Sequence, residues 1–244
     1  MKVAIFGSKG QMGRVLTELY RSSEPDVSLI LLGRDIDVES LIEEKPDVLI
    51  DFSHKTALKK VLDLGKILNI PLVLATTGYD EGDRDLIRET SSVLPVFYSA
   101  NMSLGVYVLR ELVAEAVLFV GSDSDIELIE KHHRKKKDSP SGTAVILLHS
   151  VNSAGLDLKP VYGREGQSLR SDKEIGIHSL RGGTIVGEHS VIFCMDGETL
   201  ELKHTGESKT LFAKGAVSAA REIIGKPAGL YGMDDLMNWR SSNG

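Results

Sequence analysis

The chemistry-bearing residues of this chain crowd into one stretch, Glu130-Lys131-His132-His133-Arg134-Lys135-Lys136-Lys137-Asp138-Ser139-Pro140-Ser141-Gly142-Thr143-Ala144. Every residue from Lys131 to Lys137 is basic or an imidazole, in a chain whose net charge is −6. Positive charge gathered against the overall balance points to an anionic ligand. A solvated basic loop or a contact with a phosphate backbone is the plainer alternative, and three details weigh against it. His132 and His133 stand side by side, and imidazole is the side-chain type whose unperturbed charge change lies near neutrality. Pro140-Ser141-Gly142-Thr143 opens a helical pattern, with Ser139 as its cap, so backbone N–H groups at that end can meet a carboxylate. The stretch also follows a strand pattern, which holds its side chains on firm scaffold. An anion site with an acid–base function is the expectation.

A second constellation is Gly7-Ser8-Lys9-Gly10-Gln11-Met12-Gly13, placed between an apolar strand pattern and a helical one. Glycines let the chain turn tightly and approach a pyrophosphate, and the helix start offers free N–H groups to that anion. This context predicts a dinucleotide. The end of the second strand should select the ribose: a carboxylate there favours NAD, and an arginine accommodates the 2′-phosphate of NADP. Arg34 and Asp35 stand at that point, so NADPH preference or dual use with NADH is expected. Asp51-Phe52-Ser53, Ala75-Thr76-Thr77-Gly78 and Ser99-Ala100-Asn101-Met102-Ser103 close the next three strands. Each is a turn or cap on its own, but three at equivalent positions favour a cleft.

The elements that must position these residues fall into two patterns. Val3 to Phe6, Val27 to Leu32, Val48 to Phe52, Leu72 to Ala75 and Val93 to Tyr98 are near-continuous apolar runs, as in strands buried on both faces of a parallel sheet. Helical patterns at Gly10 to Arg21, Thr56 to Leu68 and Asp80 to Ser91 alternate with them. This order predicts an α/β fold, a doubly wound parallel sheet of Rossmann type. After about Ser103 the pattern changes. Leu104 to Val120 reads as a long helix, Ser124 to His132 as a strand, Gly142 to Val151 as a helix and Leu156 to Lys173 as a loop. Ile175 to Leu180, Glu188 to Met195 and Thr199 to His204 read as strands, the last two joined by an Asp196-Gly197 turn. A last helix, Lys209 to Ile224, returns to the first domain. The expected domains are 1–103 plus 209–244 for the dinucleotide, and 104–208 as an inserted mixed α/β domain.

Composition narrows the classes. The chain has 244 residues, 41% hydrophobic and 26% charged, which suits one large domain or two small ones and argues against global disorder. No apolar run reaches the length of a membrane span. The N-terminal apolar stretch is too short for a signal peptide. Cys194 is the single cysteine, so no internal disulfide forms, which suits a reducing cytoplasm. Net acidity without an aromatic-and-basic tract argues against nucleic acid as a partner. No metal is assigned.

The stretch His132-His133-Arg134-x-Lys136-x-Asp138-x-Pro140-Ser141-Gly142-Thr143-Ala144 resembles the signature of the 4-hydroxy-tetrahydrodipicolinate reductases, also called dihydrodipicolinate reductases. The resemblance covers nearly the whole chain. It takes in Gly7 to Gly13, Asp51-Phe52-Ser53, Thr76-Thr77-Gly78, Asn101-Met102-Ser103-x-Gly105, His178-Ser179-Leu180-Arg181-x-Gly183, Gly187-Glu188-His189 and Phe212-Ala213-x-Gly215-Ala216. It implies reduction of a cyclic imine-type dicarboxylate by NADH or NADPH on the route to diaminopimelate and lysine. Carried over by position, His132 matches the general acid/base and Lys136 the proton donor. His133, Gly142 and Thr143 match carboxylate-holding positions, with Ser141 beside them. Gly7 to Met12 (Gly7, Ser8, Lys9, Gly10, Gln11, Met12), Ala75 to Thr77 and Ser99 to Met102 match cofactor-contacting segments. The inserted domain is then a substrate and oligomerisation domain, and the assembly a homotetramer. Three positions depart from the pattern: Gln11 where arginine is usual, Ala75 where glycine is usual, and Thr205-Gly206-Glu207-Ser208-Lys209, which keeps a lysine in place of an arginine. Other readings are a dehydrogenase of another small imino or amino dicarboxylate, and a dinucleotide-binding module without turnover.

Overall fold

The structure, a computed structural model, describes residues 1–33 and 36–242. Arg34 and Asp35, the ribose selectors expected from the sequence, lie outside the described residues. The chain divides into two compact units, Met1–Ser103 with Lys209–Gly244, and Leu104–Ser208.

In the first unit, β1 (Lys2–Phe6), β2 (Ser28–Leu32), β3 (Val48–Asp51), β4 (Leu72–Leu74), β5 (Pro95–Tyr98) and β11 (Gly229–Tyr231) form one sheet in the order β11-β5-β4-β3-β1-β2. Every pairing is parallel. The helices are α1 (Gln11–Ser23), α2 (Val38–Glu44), α3 (Leu58–Leu68), α4 (Glu81–Ser91), α7 (Thr210–Ile223) and α8 (Met233–Ser242). Val48, Leu49, Ile50, Leu72, Val73 and Leu74 are all fully buried, because helices on both sides leave no wet face. The chain runs from β1 outward to β2, then back across to β3. The carboxyl ends of β1 and β3 therefore flank the reversal of strand order, where such sheets bind ligands.

Local signals place the helices. Asp80 caps α4 through a reciprocal box with Asp83. Asn69, at φ +51°, ends α3 in the left-handed region. Three elements of this unit were not expected. In α2, a single buried residue, Leu41, leaves no helical period to read. Strand β11 is three residues long and exists through its pairing with β5, and α8 follows it, so α7 is not the last helix.

In the second unit, β6 (Asp125–His132), β7 (Lys159–Tyr162), β8 (Glu174–Arg181), β9 (Gly187–Met195) and β10 (Glu198–Gly206) form a mixed sheet, β10-β9-β6-β8-β7. Strands β7, β8 and β6 run parallel, and β9 and β10 are antiparallel to their neighbours. Helices α5 (Leu104–Val120) and α6 (Gly142–Ser153) cover one face around Ile126, Leu128, Ile175, Ile177, Val191 and Phe193. The expected loop from 156 to 173 contains β7. That strand lies at the sheet edge with mostly exposed side chains, so neither alternation nor an apolar run announces it. No helix among the described residues is long and apolar enough to cross a membrane.

Candidate active site

In the first unit, the chain leaves β1 through Gly7, at φ +82°. A β-carbon on Gly7 would stand 2.7 Å from the Phe52 carbonyl oxygen, and one on Gly13 would stand 2.2 Å from the Gly7 carbonyl oxygen. Loop, helix start and the end of β3 thus meet at distances only glycine tolerates. Gly10 precedes α1 without a side-chain cap, and no acidic residue lies in the first turn. The positive end of the helix is left to an outside anion. These residues fit a dinucleotide pyrophosphate.

The remaining expected cofactor residues divide by exposure. The Ser8 hydroxyl is buried and donates to the Leu32 carbonyl oxygen at 2.9 Å, tying the loop to β2. Lys9 lies over Gly33, its Nζ 3.9 Å from where a β-carbon would stand there, which brings a cation to the end of β2. Gln11 is exposed and accepts a hydrogen bond from Lys209 Nζ at 2.6 Å, so two of the departing positions touch. The Ala75 N–H donates to the Asp51 carbonyl oxygen at 3.0 Å. Thr76 donates its hydroxyl to Asp51 Oδ2 at 2.7 Å and accepts from the Ser53 N–H at 3.0 Å. Burial pushes the Asp51 carboxyl up, against hydrogen bonds from Ser53 and Thr76. Thr77 and Ala100 are exposed. Ser99 Oγ donates to the Asn101 carbonyl oxygen at 2.8 Å, folding the turn after β5. Met102 is buried, and a β-carbon on Gly215 would stand 1.7 Å from its carbonyl oxygen, so α7 seats that turn through a glycine.

In the second unit, Ile126, Leu128, Glu130 and His132 alternate along β6 and share its buried face. His132 Nδ1 lies 2.6 Å from Glu130 Oε2. Arg181, on β8, grips both oxygens of Glu130, from Nη1 to Oε2 at 2.8 Å and from Nη2 to Oε1 at 2.7 Å. The Ser141 N–H donates to Glu130 Oε1 at 3.2 Å. Burial pushes the Glu130 carboxyl up, but hydrogen bonds from Arg181, Ser179 and His132 outweigh it and hold the group at about 2. Burial lowers His132 below the ordinary imidazole value, with Lys136 and Arg181 adding to the effect and Glu130 opposing it.

Lys136 donates to Asp138 Oδ2 at 2.8 Å, and the Lys136 N–H returns to the His133 carbonyl oxygen at 3.0 Å. His133 is partly exposed. The cap of α6 is Ser141 rather than Ser139: its Oγ accepts from the Ala144 N–H at 3.2 Å. The same Ser141 Oγ lies 2.9 Å from His189 Nε2, within hydrogen-bond distance. Ser141 is therefore enclosed and fully engaged. Gly142 is placed differently. A β-carbon on Gly142 would meet nothing within 4 Å, and the first turn of α6 carries no acidic residue, so the helix start is open to a carboxylate.

The structure thus gathers His132, Lys136, Ser141, Gly142 and Thr143 around the end of β6. It also shows three partners to which sequence reasoning gave no role: Glu130, Arg181 and His189. The signal for Glu130 was present, because a carboxylate that continues an apolar alternation is buried and needs a partner. Arg181 and His189 stand in segments that carry the family resemblance, but they arrive from other strands, and no local spacing brings them to Glu130 and Ser141.

Family comparisons agree over both units. Residues 31–102 match the family model described as dihydrodipicolinate reductase, N-terminus, and residues 105–237 match dihydrodipicolinate reductase, C-terminus. A 4-hydroxy-tetrahydrodipicolinate reductase of Clostridium tetani is 40% identical over 98% of this chain and 97% of its own length. One of an Exiguobacterium species is 44% identical over 97% and 95%. Among solved structures, a dipicolinate-bound dihydrodipicolinate reductase from Paenisporosarcina sp. TG-14 superposes with a TM-score of 0.79 at 23% identity, covering 96% of this chain and 98% of that one. A probable dehydrogenase from Thermotoga maritima shares the fold at a TM-score of 0.59 and 11% identity, over 97% and 93% of the two chains. On these matches, the chain belongs to the dihydrodipicolinate reductase family.

Proposed function

We propose that this chain reduces 4-hydroxy-tetrahydrodipicolinate to tetrahydrodipicolinate with NADH or NADPH, on the route to diaminopimelate and lysine. The observation that carries this reading is the joint placement of His132, Lys136 and the open start of α6 at the end of β6. A bound dihydronicotinamide supplies a hydride. The chain's own residues do the rest. Gly7 and Gly13 shape the turn for the pyrophosphate, and the first turn of α1 offers its N–H groups. N–H groups of Gly142 and Thr143 hold a substrate carboxylate without titrating, and His133 supports it. Lys136, kept beside Asp138, delivers a proton, and His132 acts as acid and base. One hydride and one proton enter, and the 4-hydroxyl departs as water.

Assembly as a homotetramer through the sheet of the second unit belongs to the same proposal. Helices α5 and α6 cover one face of that sheet, while Ile129 and Ile192 of the other face are only partly buried within the chain. Light scattering on the eluting protein tests it, and a monomer mass overturns it. For the activity, the test is consumption of NADH or NADPH, followed by absorbance, on freshly made 4-hydroxy-tetrahydrodipicolinate. Turnover that collapses in His132→Gln and Lys136→Ala while cofactor binding persists is the expected result. Absence of turnover with both cofactors sinks the proposal.

A further inference from the structure

We propose that Glu130 is a positioning residue of this site: clamped by Arg181, it fixes His132 with its proton on Nδ1 and keeps Nε2 for proton exchange. This rests on the assignment of His132 as acid and base. Glu130 is fully buried, yet each oxygen has at least two donors: Arg181 and the Ser141 N–H on Oε1, Arg181 and His132 on Oε2. A carboxylate taken out of water survives as an anion only with such pairing. An anionic carboxylate can only accept, so the 2.6 Å contact puts the proton on Nδ1 of His132. The other nitrogen is left with its lone pair. It points past Gly187, where a β-carbon would come within 3.0 Å of Nε2, so the missing side chain keeps that nitrogen uncovered.

The groups around the ring fix the direction of the effect. Arg181 faces it from β8 and His189 from β9, the two imidazoles edge to face at 5.1 Å. Lys136, itself paired with Asp138, faces it from the segment before α6. His189 is itself held neutral by burial, at about 3. Burial, Lys136 and Arg181 disfavour a charged His132, and Glu130 alone among these neighbours favours it. Glu130 therefore stabilises the imidazolium formed when Nε2 takes a proton, as carboxylate partners of catalytic imidazoles do. Arg181 has a second task. Its Nη2 also donates to the Asp138 carbonyl oxygen at 2.7 Å, so one guanidinium holds both the carboxylate under His132 and the turn that carries Lys136.

The test combines a spectrum of the wild-type protein with the pH profile of a variant. Long-range proton–nitrogen spectra of the histidine rings, with His132 assigned by its loss in His132→Gln, should show neutral His132 protonated on Nδ1. A proton on Nε2 overturns the proposal whether or not the protein turns over. In Glu130→Gln, kcat should fall about 10–100-fold while the cofactor Kd stays within about twofold. The kcat limb belonging to His132 should move to lower pH, because the one interaction that raises its pKa is gone. A fall in kcat with that limb unmoved marks Glu130 as merely structural and overturns the proposal. Arg181→Lys keeps the charge but loses the two-pronged grip, and it should move the limb the same way should Glu130→Gln fail to fold. Normal turnover in His132→Gln would instead remove the role of His132, leaving the measured tautomer to stand on its own.

Discussion

Replacing Gly13 by alanine tests the cofactor loop most directly. The added β-carbon would stand 2.2 Å from the Gly7 carbonyl oxygen, 2.7 Å from Ser8 Cα and 2.8 Å from the Gly7 carbonyl carbon. Ordinary contact begins near 3.4 Å, so helix and loop must part by roughly 1 Å, as in an overpacked core. Neither side yields easily. Gly7 is pressed against the Phe52 carbonyl oxygen, and Ser8 is tied to Leu32 by its hydroxyl. Overpacking costs about 1–3 kcal/mol, and backbone on both sides places this case at the upper end. Better helix propensity for alanine returns about 1 kcal/mol, leaving a net loss of about 2 kcal/mol. For a chain of this size that is a fall in Tm of about 4–8 °C. The same displacement pulls the N–H groups of the first turn away from the pyrophosphate, so the NADPH Kd, read by nucleotide fluorescence, should rise more than about tenfold. A Tm within a degree of wild type together with an unchanged Kd would refute the claim that this contact shapes the loop.

Three further outcomes follow from the geometry. Gly142→Ala adds a β-carbon that meets nothing within 4 Å, so its Tm should match wild type while KM for the dicarboxylate rises; an unchanged KM removes the α6 start from carboxylate binding. Lys9→Ala should weaken NADPH more than NADH in equilibrium titrations, because the Lys9 amine lies over Gly33 at the end of β2; equal losses would count against a 2′-phosphate contact. His189 sits at about 3 in the folded chain against 6.5 for a free imidazole. Its folded value is depressed, so the unfolded chain takes up a proton first, and stability falls as pH drops from 6.5 towards 3 by up to about 1.4 kcal/mol per unit. Denaturant titrations across that range should show a shallower slope in His189→Gln, and an unaltered slope contradicts burial as the cause.

The parallel sheet was legible because its strands are buried on both faces. Val48–Asp51 and Leu72–Leu74 are unbroken apolar runs or end in one polar residue, and the helices between them carry clear periods. The glycine loop and the stretch from His132 to Thr143 were legible because their chemistry is concentrated in sequence. What was not legible depends on pairing across the fold. Strands β7 and β11 are short edge segments defined by their neighbours, β8 and β5. Arg181 and His189 reach the site from strands β8 and β9, about 50 residues along from Glu130 and Ser141, a closeness no local spacing encodes. Ser139 was a sound cap by type, but Ser141 directly precedes the first helical residue and bonds the Ala144 N–H.

The register of β11 with β5 has a consequence for synthesis. Pro95 pairs with Gly229, and all of Leu104–Ser208 is made between them. During translation the second unit emerges as one continuous stretch and can fold while the first still lacks α7, α8 and an edge strand. Until those last residues leave the ribosome, β5 presents a bare edge, open to pairing with another nascent chain. A nascent chain stalled with Ser208 just clear of the ribosome should therefore carry a protease-resistant second unit and a protease-sensitive first one.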